Sequence, residues 1–408
     1  MFTCDKSRVE AKIKDFSKIG DTGGGGITRF ALSKECLEAR GYFVARMKAA
    51  GCAIETDDLA NVYATLPGSE PGLPRISTGS HCDSVKKGGN YDGILGVIGA
   101  MEVIETIVDQ KIPHRHPITA MIWTNEEGSM YPPALMCSGV VCGKFDKDTM
   151  LASKGVNGQT FAQALDASGY KGQEKNRFAP GAYKANVELH IEQGPVLEAE
   201  SKDIGVVPCV LGMVNYRIKA YGQSNHAGTT PMKFRVDALY AAAQALIYLH
   251  DELDKLDPAL VYTTGEIVCH PCIHTVIPNY VDFSVDARHE DPKVIAQVVD
   301  IITNKMPKEF AKCRMETQKM WGRDTVYFDQ ELVASVQKYA DEFGYSNMRI
   351  NSGAGHDAQF TASIVPTTMI FVPSKEGHSH RESEHTTLDQ CWQGVNILLN
   401  TILEVDGK

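Results

Sequence analysis

One secondary-structure rhythm is interrupted by another, and this constrains the fold more than any single motif. Short β-rich runs over residues 61–66, 75–79 and 118–124 are separated by a helical pattern over 93–108. Such alternation predicts a mostly parallel sheet covered on both faces. At Met213 the pattern becomes strand, helix (236–256), two strands (266–270 and 281–288), helix (292–310) and strand (314–319). This βαββαβ order is the signature of a ferredoxin-like α+β unit. The first rhythm then resumes with a helix over 330–343, a strand over 367–372 and a closing helix over 387–404. The expected division is therefore one α/β domain made of residues 1–212 and 328–408, with residues 213–327 inserted as a second domain.

At 408 residues the chain has room for two or three folding units, taking ~150 residues per domain. A hydrophobic fraction of 43% with 23% charged residues excludes a disordered or coiled-coil chain. A formal net charge of −10 is the opposite of what phosphate-backbone binding requires, so no nucleic-acid partner is expected. The most apolar stretch, residues 94–108, is interrupted by Glu102 and Glu105. It falls short of the ~20 residues that span a bilayer, so no membrane association is expected. Residues 1–16 carry no apolar segment of the secretory kind. With eleven scattered cysteines, this reads as a cytoplasmic protein with reduced thiols. The one C-x-x-C, Cys269 to Cys272, has no second pair to complete a zinc site and reads as ordinary thiols. The glycine run of residues 20–26 lacks the Lys and Ser/Thr of a phosphate loop and reads as a flexible connection.

Four segments place acids or imidazoles in short loops after apolar strands, where open α/β sheets put their ligands. They are Ser80-His81-Cys82-Asp83 with Asp92 downstream, Trp123-Thr124-Asn125-Glu126-Glu127, Glu188-Leu189-His190-Ile191-Glu192-Gln193, and Gly377-His378-Ser379-His380. Imidazoles with carboxylates form the ligand set of zinc or manganese, and a bridging carboxylate makes room for two ions; Asp92 is the candidate bridge. Asp83, two residues after His81, is placed to accept the free ring N–H of that histidine. Neighbouring Glu126 and Glu127 point to different sides of a strand end, so one can ligate while the other faces the substrate as acid/base. Each segment alone is weak, since single histidines and Asp-Gly turns are usually structural. The combination is what carries the reading.

The blocks GSHCDSV, GGNYDGILGV, TNEEGSMYPPALMCSG, VELHIEQGPVLE, GQSNHAGTTPM, VDFSVDAR, SGAGHDAQ and FVPSKEGHSH closely resemble one family. It is the group of N-carbamoyl-L-amino-acid hydrolases, β-ureidopropionases and allantoate amidohydrolases, the hydantoinase/carbamoylase-type amidases among the two-metal aminoacylase/carboxypeptidase-like metallopeptidases. The resemblance implies a two-metal exopeptidase-like catalytic domain with an inserted lid and dimerisation domain. It implies that His81, Asp92 and His190 hold one divalent ion and that Asp92, Glu127 and His380 hold the other. Zinc is the expected ion, with manganese or cobalt as alternatives. Glu126 is implied as the general base, and His226 as the group stabilising the oxyanion, in reach of a partner subunit's site. Gln193, Arg288 and His356 are implied in substrate binding, Arg288 by pairing with a carboxylate.

The expected partners are a small carboxylate substrate and a second copy of the chain, joined through the lid. The expected reaction is hydrolysis of a carbamoyl or ureido C–N bond, giving an amino acid, ammonia and CO2 from an N-carbamoyl amino acid. Allantoate or another ureido acid of purine breakdown is the alternative substrate. Peptidase or aminoacylase activity is disfavoured because HIEQG and GAGHDA mark the amidohydrolase branch. One departure concerns the substrate: where the family reads P-N-x-x-N-V-I-P-G, this chain has Cys272 and Thr275 for the two asparagines. His114, His116, His250, His270, His274, His289, His378 and His385 match no ligand motif and read as surface or structural.

Overall fold

Capping side chains start the first helices. Asp5 accepts the Ser7 and Arg8 amides ahead of α1 (Lys6–Ser17), and Ser33 caps α2 (Lys34–Ala49). Next come β1 (Ala53–Thr56), β2 (Val62–Leu66), β3 (Arg75–His81), α3 (Ile94–Asp109), β4 (Ile118–Trp123), β5 (Tyr183–Ile191) and β6 (Ile204–Val207). After these follow β7 (Gly212–Tyr221), α4 (Ala238–Leu253), β8 (Val261–Thr263), β9 (Ile267–His270), β10 (Tyr280–His289), α5 (Pro292–Asp300), β11 (Glu309–Phe310) and β12 (Cys313–Arg323). The chain closes with α6 (Gln330–Glu342), β13 (Asn347–Arg349), β14 (Thr367–Val372) and α7 (Leu388–Gly407). The computed structural model describes residues 1–408, which form two units: 1–208 with 327–408, and 209–326. The sequence reading put these boundaries at 212/213 and 327/328.

In the first unit eight strands form one sheet in the order β1-β2-β4-β3-β5-β14-β6-β13. The central β4, β3, β5 and β14 run parallel, but β1–β2, β2–β4 and β14–β6 are antiparallel. The sheet is thus mixed, with a parallel centre, rather than mostly parallel throughout. Periodicity carries no information on strand direction. The short connection of residues 57–61 forces β1 and β2 to pair antiparallel, because a parallel pair needs a crossover of a dozen residues or more.

Helix α3 buries nearly its whole circumference, which explains why its sequence is apolar all round. Its one deeply buried acid, Glu102, is met by Lys12 Nζ at 2.6 Å and Arg8 Nη2 at 2.8 Å from α1. The acids that interrupt the apolar run therefore pin α1 to α3. The glycine run is not a loose connection. The Thr22 amide donates to the Gly26 carbonyl, Ile27 exchanges two backbone hydrogen bonds with Gly88, and Glu382 fills the space a Cβ at Gly24 or Gly26 would need.

The second unit is a single antiparallel sheet in which β9, β10, β7, β12 and β11 lie side by side and β8 also pairs with β10. Burial alternates strictly along β10 and, from Val214 onward, along β7. One face packs on α4 and α5 through Ile218, Ala220, Phe283, Ala242, Leu249 and Val298, while the other stays polar. The second helix is shorter than its expected span. It ends at Asp300, a π turn occupies Ile301–Lys305, and Glu309–Phe310 is already strand. No helix anywhere is long and apolar enough to cross a membrane.

Candidate metal and catalytic site

The four chemistry-bearing segments sit at the carboxyl ends of the four parallel central strands. β3 ends in His81, β4 leads into Glu126 and Glu127, β5 carries His190 near its end, and β14 leads to His380. Asp92 comes from the loop after β3, just before α3. Parallel strands aim all their C-terminal loops in one direction, so residues up to 299 positions apart converge there.

Asp92 is the centre of the cluster. Its Oδ1 lies 3.5 Å from His81 Nε2 and 3.3 Å from His190 Nε2, and its Oδ2 lies 3.3 Å from His380 Nε2. His380 Nε2 is also 3.3 Å from Glu127 Oε2. Two ligand groups result, His81–Asp92–His190 and Asp92–Glu127–His380, each with its donor atoms within 4.8 Å of one another. The first is wholly buried, whereas His380 in the second is half exposed. Glu126 Oε2 stands 3.5 Å from His81 Nε2, beside both groups.

The tautomers of the buried histidines are set by backbone carbonyls. His81 Nδ1 lies 2.9 Å from the Asp83 carbonyl, and His190 Nδ1 lies 2.9 Å from that of Ile191. Each Nδ1–H donates, which leaves the Nε2 lone pair facing the Asp92 carboxylate. Lone pairs opposed at this distance are favourable only with a proton or a cation between them. The electrostatics agree. Burial pushes Asp92 up, but the surrounding imidazoles of His190, His380 and His81 hold it well below the carboxylate range. Burial and the neighbouring acids raise Glu126 well above that range and Glu127 to about 8. The hydrogen bond to Asp92 lifts His380 to about 9. Carboxylates therefore outnumber their cationic partners, and the imidazole and carboxylate donors fit divalent zinc or manganese.

Tight backbone geometry supports the arrangement. Asn125, Gln193 and His380 have φ of 58°, 59° and 57°, each costing of order 1 kcal/mol or more outside glycine. Gly93 has φ 66°, and a Cβ there would lie 2.2–2.4 Å from the His81 ring. Only glycine lets α3 start this close to the imidazole.

Several sequence expectations need correction. The Asp83 carboxylate does not hold the His81 ring, because its backbone carbonyl does. The carboxylate instead faces the Glu126 and Glu127 amides at 3.4 and 3.3 Å, shaping the loop that carries both acids. Glu192 turns away to accept the Val196 and Leu197 amides, both at 2.8 Å, and caps the next short helix. Gln193 donates to Asp92 Oδ2 at 2.8 Å and to Ser379 Oγ at 3.2 Å. His356 is buried 3.0 Å from Ser352 Oγ and packs edge-on against His190, with ring centroids 4.5 Å apart. With Glu188 and His190 it makes a third donor group.

Sequence reasoning missed Glu188 as a structural acceptor for Ser80 Oγ and the Ala358 amide, and it missed Glu384 entirely. Glu384 accepts the Tyr91 and Asp92 amides, yet in sequence it sits in the polar run Arg381-Glu382-Ser383-Glu384 and looks like a solvated surface acid.

The second unit holds His226, Thr275 and Arg288. His226 and Val276 form a β-bridge, and the Ala227 amide donates to the Thr275 carbonyl at 2.9 Å, so the His226 and Thr275 loops are neighbours. His226 Nδ1 accepts the Gly228 and Thr229 amides at 3.0 and 3.3 Å, which leaves Nε2–H as a donor. Arg288 lies on the polar face of β10, with its Nε 2.7 Å from Asp286 Oδ1.

Known proteins share this chain over its full length. It is 35% identical to an N-carbamoyl-L-amino-acid amidohydrolase of Rhizobium meliloti, covering 97% of this chain and 95% of that protein. It is 32% identical to an allantoate amidohydrolase of Escherichia coli (strain K12), covering 98% of this chain and 97% of that protein. The crystal structure of an amidase of the hydantoinase/carbamoylase family from Burkholderia multivorans superimposes with a TM-score of 0.94 at 38% identity, over 100% of this chain and 99% of that one. The sequence profile of peptidase family M20/M25/M40 matches residues 78–404, a span that takes in every residue of both ligand groups, and the chain belongs to that family.

Proposed function

We propose that the protein is a metal-dependent amidohydrolase that cleaves a carbamoyl or ureido C–N bond in a small carboxylate substrate. The observation that carries this is Asp92, whose two oxygens face two separate ligand groups with Glu126 beside them. His81, Asp92 and His190 would hold one divalent ion, and Asp92, Glu127 and His380 the other, with zinc, manganese or cobalt in the sites. Ions bound there would polarise the substrate carbonyl and acidify a water molecule.

Glu126 does the proton work. It accepts a proton from the attacking water as the oxygen joins the carbonyl carbon, then passes it to the leaving nitrogen as the C–N bond breaks. Its raised affinity for protons, caused by burial and by Asp357, Glu127 and Asp92, suits a group that must both take and return one. From an N-carbamoyl amino acid this cleavage frees one nitrogen and leaves the other as a carbamic acid, which then loses CO2, so the products are the amino acid, ammonia and CO2. The Nε2–H of His226 serves the oxyanion, contributed by a partner subunit. Arg288 pairs with the substrate carboxylate, and Gln193, Thr275 and His356 line the rest of the substrate site.

The second unit is read as a ferredoxin-like lid through which two copies pair, and the enzyme as cytoplasmic. Allantoate, named for a relative nearly as similar as the carbamoyl amino acid enzyme, is the second substrate candidate. The test is an assay of metal-reconstituted enzyme on N-carbamoyl-α-amino acids, N-carbamoyl-β-alanine, allantoate and N-acetyl amino acids. Turnover confined to ureido compounds is expected. Turnover of N-acetyl amino acids alone would replace this reading with an aminoacylase.

A further inference from the structure

Three loops distant in sequence close on one another behind the ligand groups. The glycine turn of residues 20–26 meets the loop before Asp92 through Asn90, whose Nδ2 donates to the Gly25 carbonyl at 2.8 Å. The segment after His380 meets both. Thr22 Oγ1 donates to Glu382. Glu384 Oε1 accepts the Tyr91 amide at 2.9 Å and the Asp92 amide at 3.0 Å. Glu384 Oε2 accepts Ser379 Oγ at 3.3 Å, and Ser379 Oγ is also 3.0 Å from Asp92 Oδ2. Glu384 is 4% exposed, and a Cβ at Gly89 would lie 2.1 Å from its Oε1, so the seat for this carboxylate exists only because residue 89 is glycine.

From this geometry we infer that Glu384 is a positioning residue that clasps the His380 loop to the Asp92 loop, so that the two ligands of the second ion meet. The inference rests on the two-metal reading above. Asp92 and His380 are 288 positions apart and belong to different strand-end loops, and His380 is half exposed. Nothing in β14 itself fixes how far His380 stands from Asp92. Glu384, four residues beyond His380, does so by accepting two amides on one side of the gap and the Ser379 hydroxyl on the other. A carboxylate meets all three, whereas an alanine at this position offers none of them a partner.

The experiment is divalent-cation binding by the apo enzyme, measured calorimetrically with zinc or manganese and checked by elemental analysis. Wild-type protein is expected to bind two ions. Glu384→Ala should keep one ion and bind the second about 10–100-fold more weakly, the usual cost of losing a group that orients a ligand. Ser379→Ala severs the same link, together with the hydroxyl's own contact to Asp92 Oδ2, while leaving both amide contacts, and should weaken the second ion alone to a smaller extent; it carries the test if Glu384→Ala does not fold. Retention of two ions at wild-type affinity in a folded Glu384→Ala protein overturns the inference, as does loss of the first ion with the second retained. Wild-type protein that binds no divalent ion overturns instead the two-metal reading on which the inference stands.

Discussion

Adjacent acids with unlike surroundings are proposed to divide the work at the site. Glu127 lies 3.3 Å from His380, whereas Glu126 faces His81 and is backed by Asp357. Glu126→Gln keeps the shape and removes proton transfer, so kcat should fall at least ~10²-fold with metal content unchanged by elemental analysis. Metal loss in Glu126→Gln with retention in Glu127→Gln would reverse the two roles. Thr275 is proposed to bear on the substrate instead. It offers one short hydroxyl where the family pattern that the sequence resembles has an asparagine, with both donor and acceptor, so a ligand matched to asparagine leaves groups unpaired there. Its loop is tied to that of His226 through the Ala227 amide. Standard N-carbamoyl-α-amino acids should therefore be poor substrates, and Thr275→Asn should raise kcat/KM for them relative to bulkier or differently polar ureido acids. Ordinary rates in the unmodified protein and an unchanged ratio in the variant would show the replacement to be neutral.

At the scale of elements, side chains in the loops hold the edge of the sheet. Asp58, between β1 and β2, accepts both Nε and Nη2 of Arg177 at 2.7 Å and also meets Lys147. Burial works to raise its carboxyl, but Arg177 and Lys147 outweigh it and hold the group below its usual value. A folded-state value below the unfolded ~3.9 means the contribution is complete above that pH and is lost as pH falls through the folded value. Asp58→Asn should lower the melting temperature near neutral pH, and the gap to wild type should close as the pH drops below ~4. A gap independent of pH would assign the effect to packing alone. These elements were unequally legible from sequence. The β14 pattern over 367–372 matches the strand residue for residue, whereas β6 and β13, at four and three residues, are too short to show a period. The 292–310 helix was overdrawn because apolar residues continue through the π turn and into β11.

For the whole molecule, ions that bind the folded chain and not the unfolded one stabilise it by mass action, by about 2.7 kcal/mol at a hundredfold excess over Kd. Prolonged chelation should abolish turnover and lower the melting temperature of the metal-loaded protein, and zinc, manganese or cobalt should restore both. Full activity in protein shown to be metal-free would end the two-metal reading.

The sequence by itself determined the alternation of strands and helices, the inserted βαββαβ pattern and the short polar loops after apolar strands, because each is a local pattern written in neighbouring residues. It also carried Glu126 and Glu127 as a pair and Asp92 as the candidate bridge. Tertiary structure alone decided which carbonyls orient His81 and His190, that Glu192 caps a helix, that three edge pairings reverse direction, and that Glu384 stands behind Asp92. The reason is distance along the chain. Asp92 and Glu384 are 292 residues apart, and a carboxylate that looks like a surface acid becomes a buried acceptor only after the β14 loop has folded onto the loop before α3.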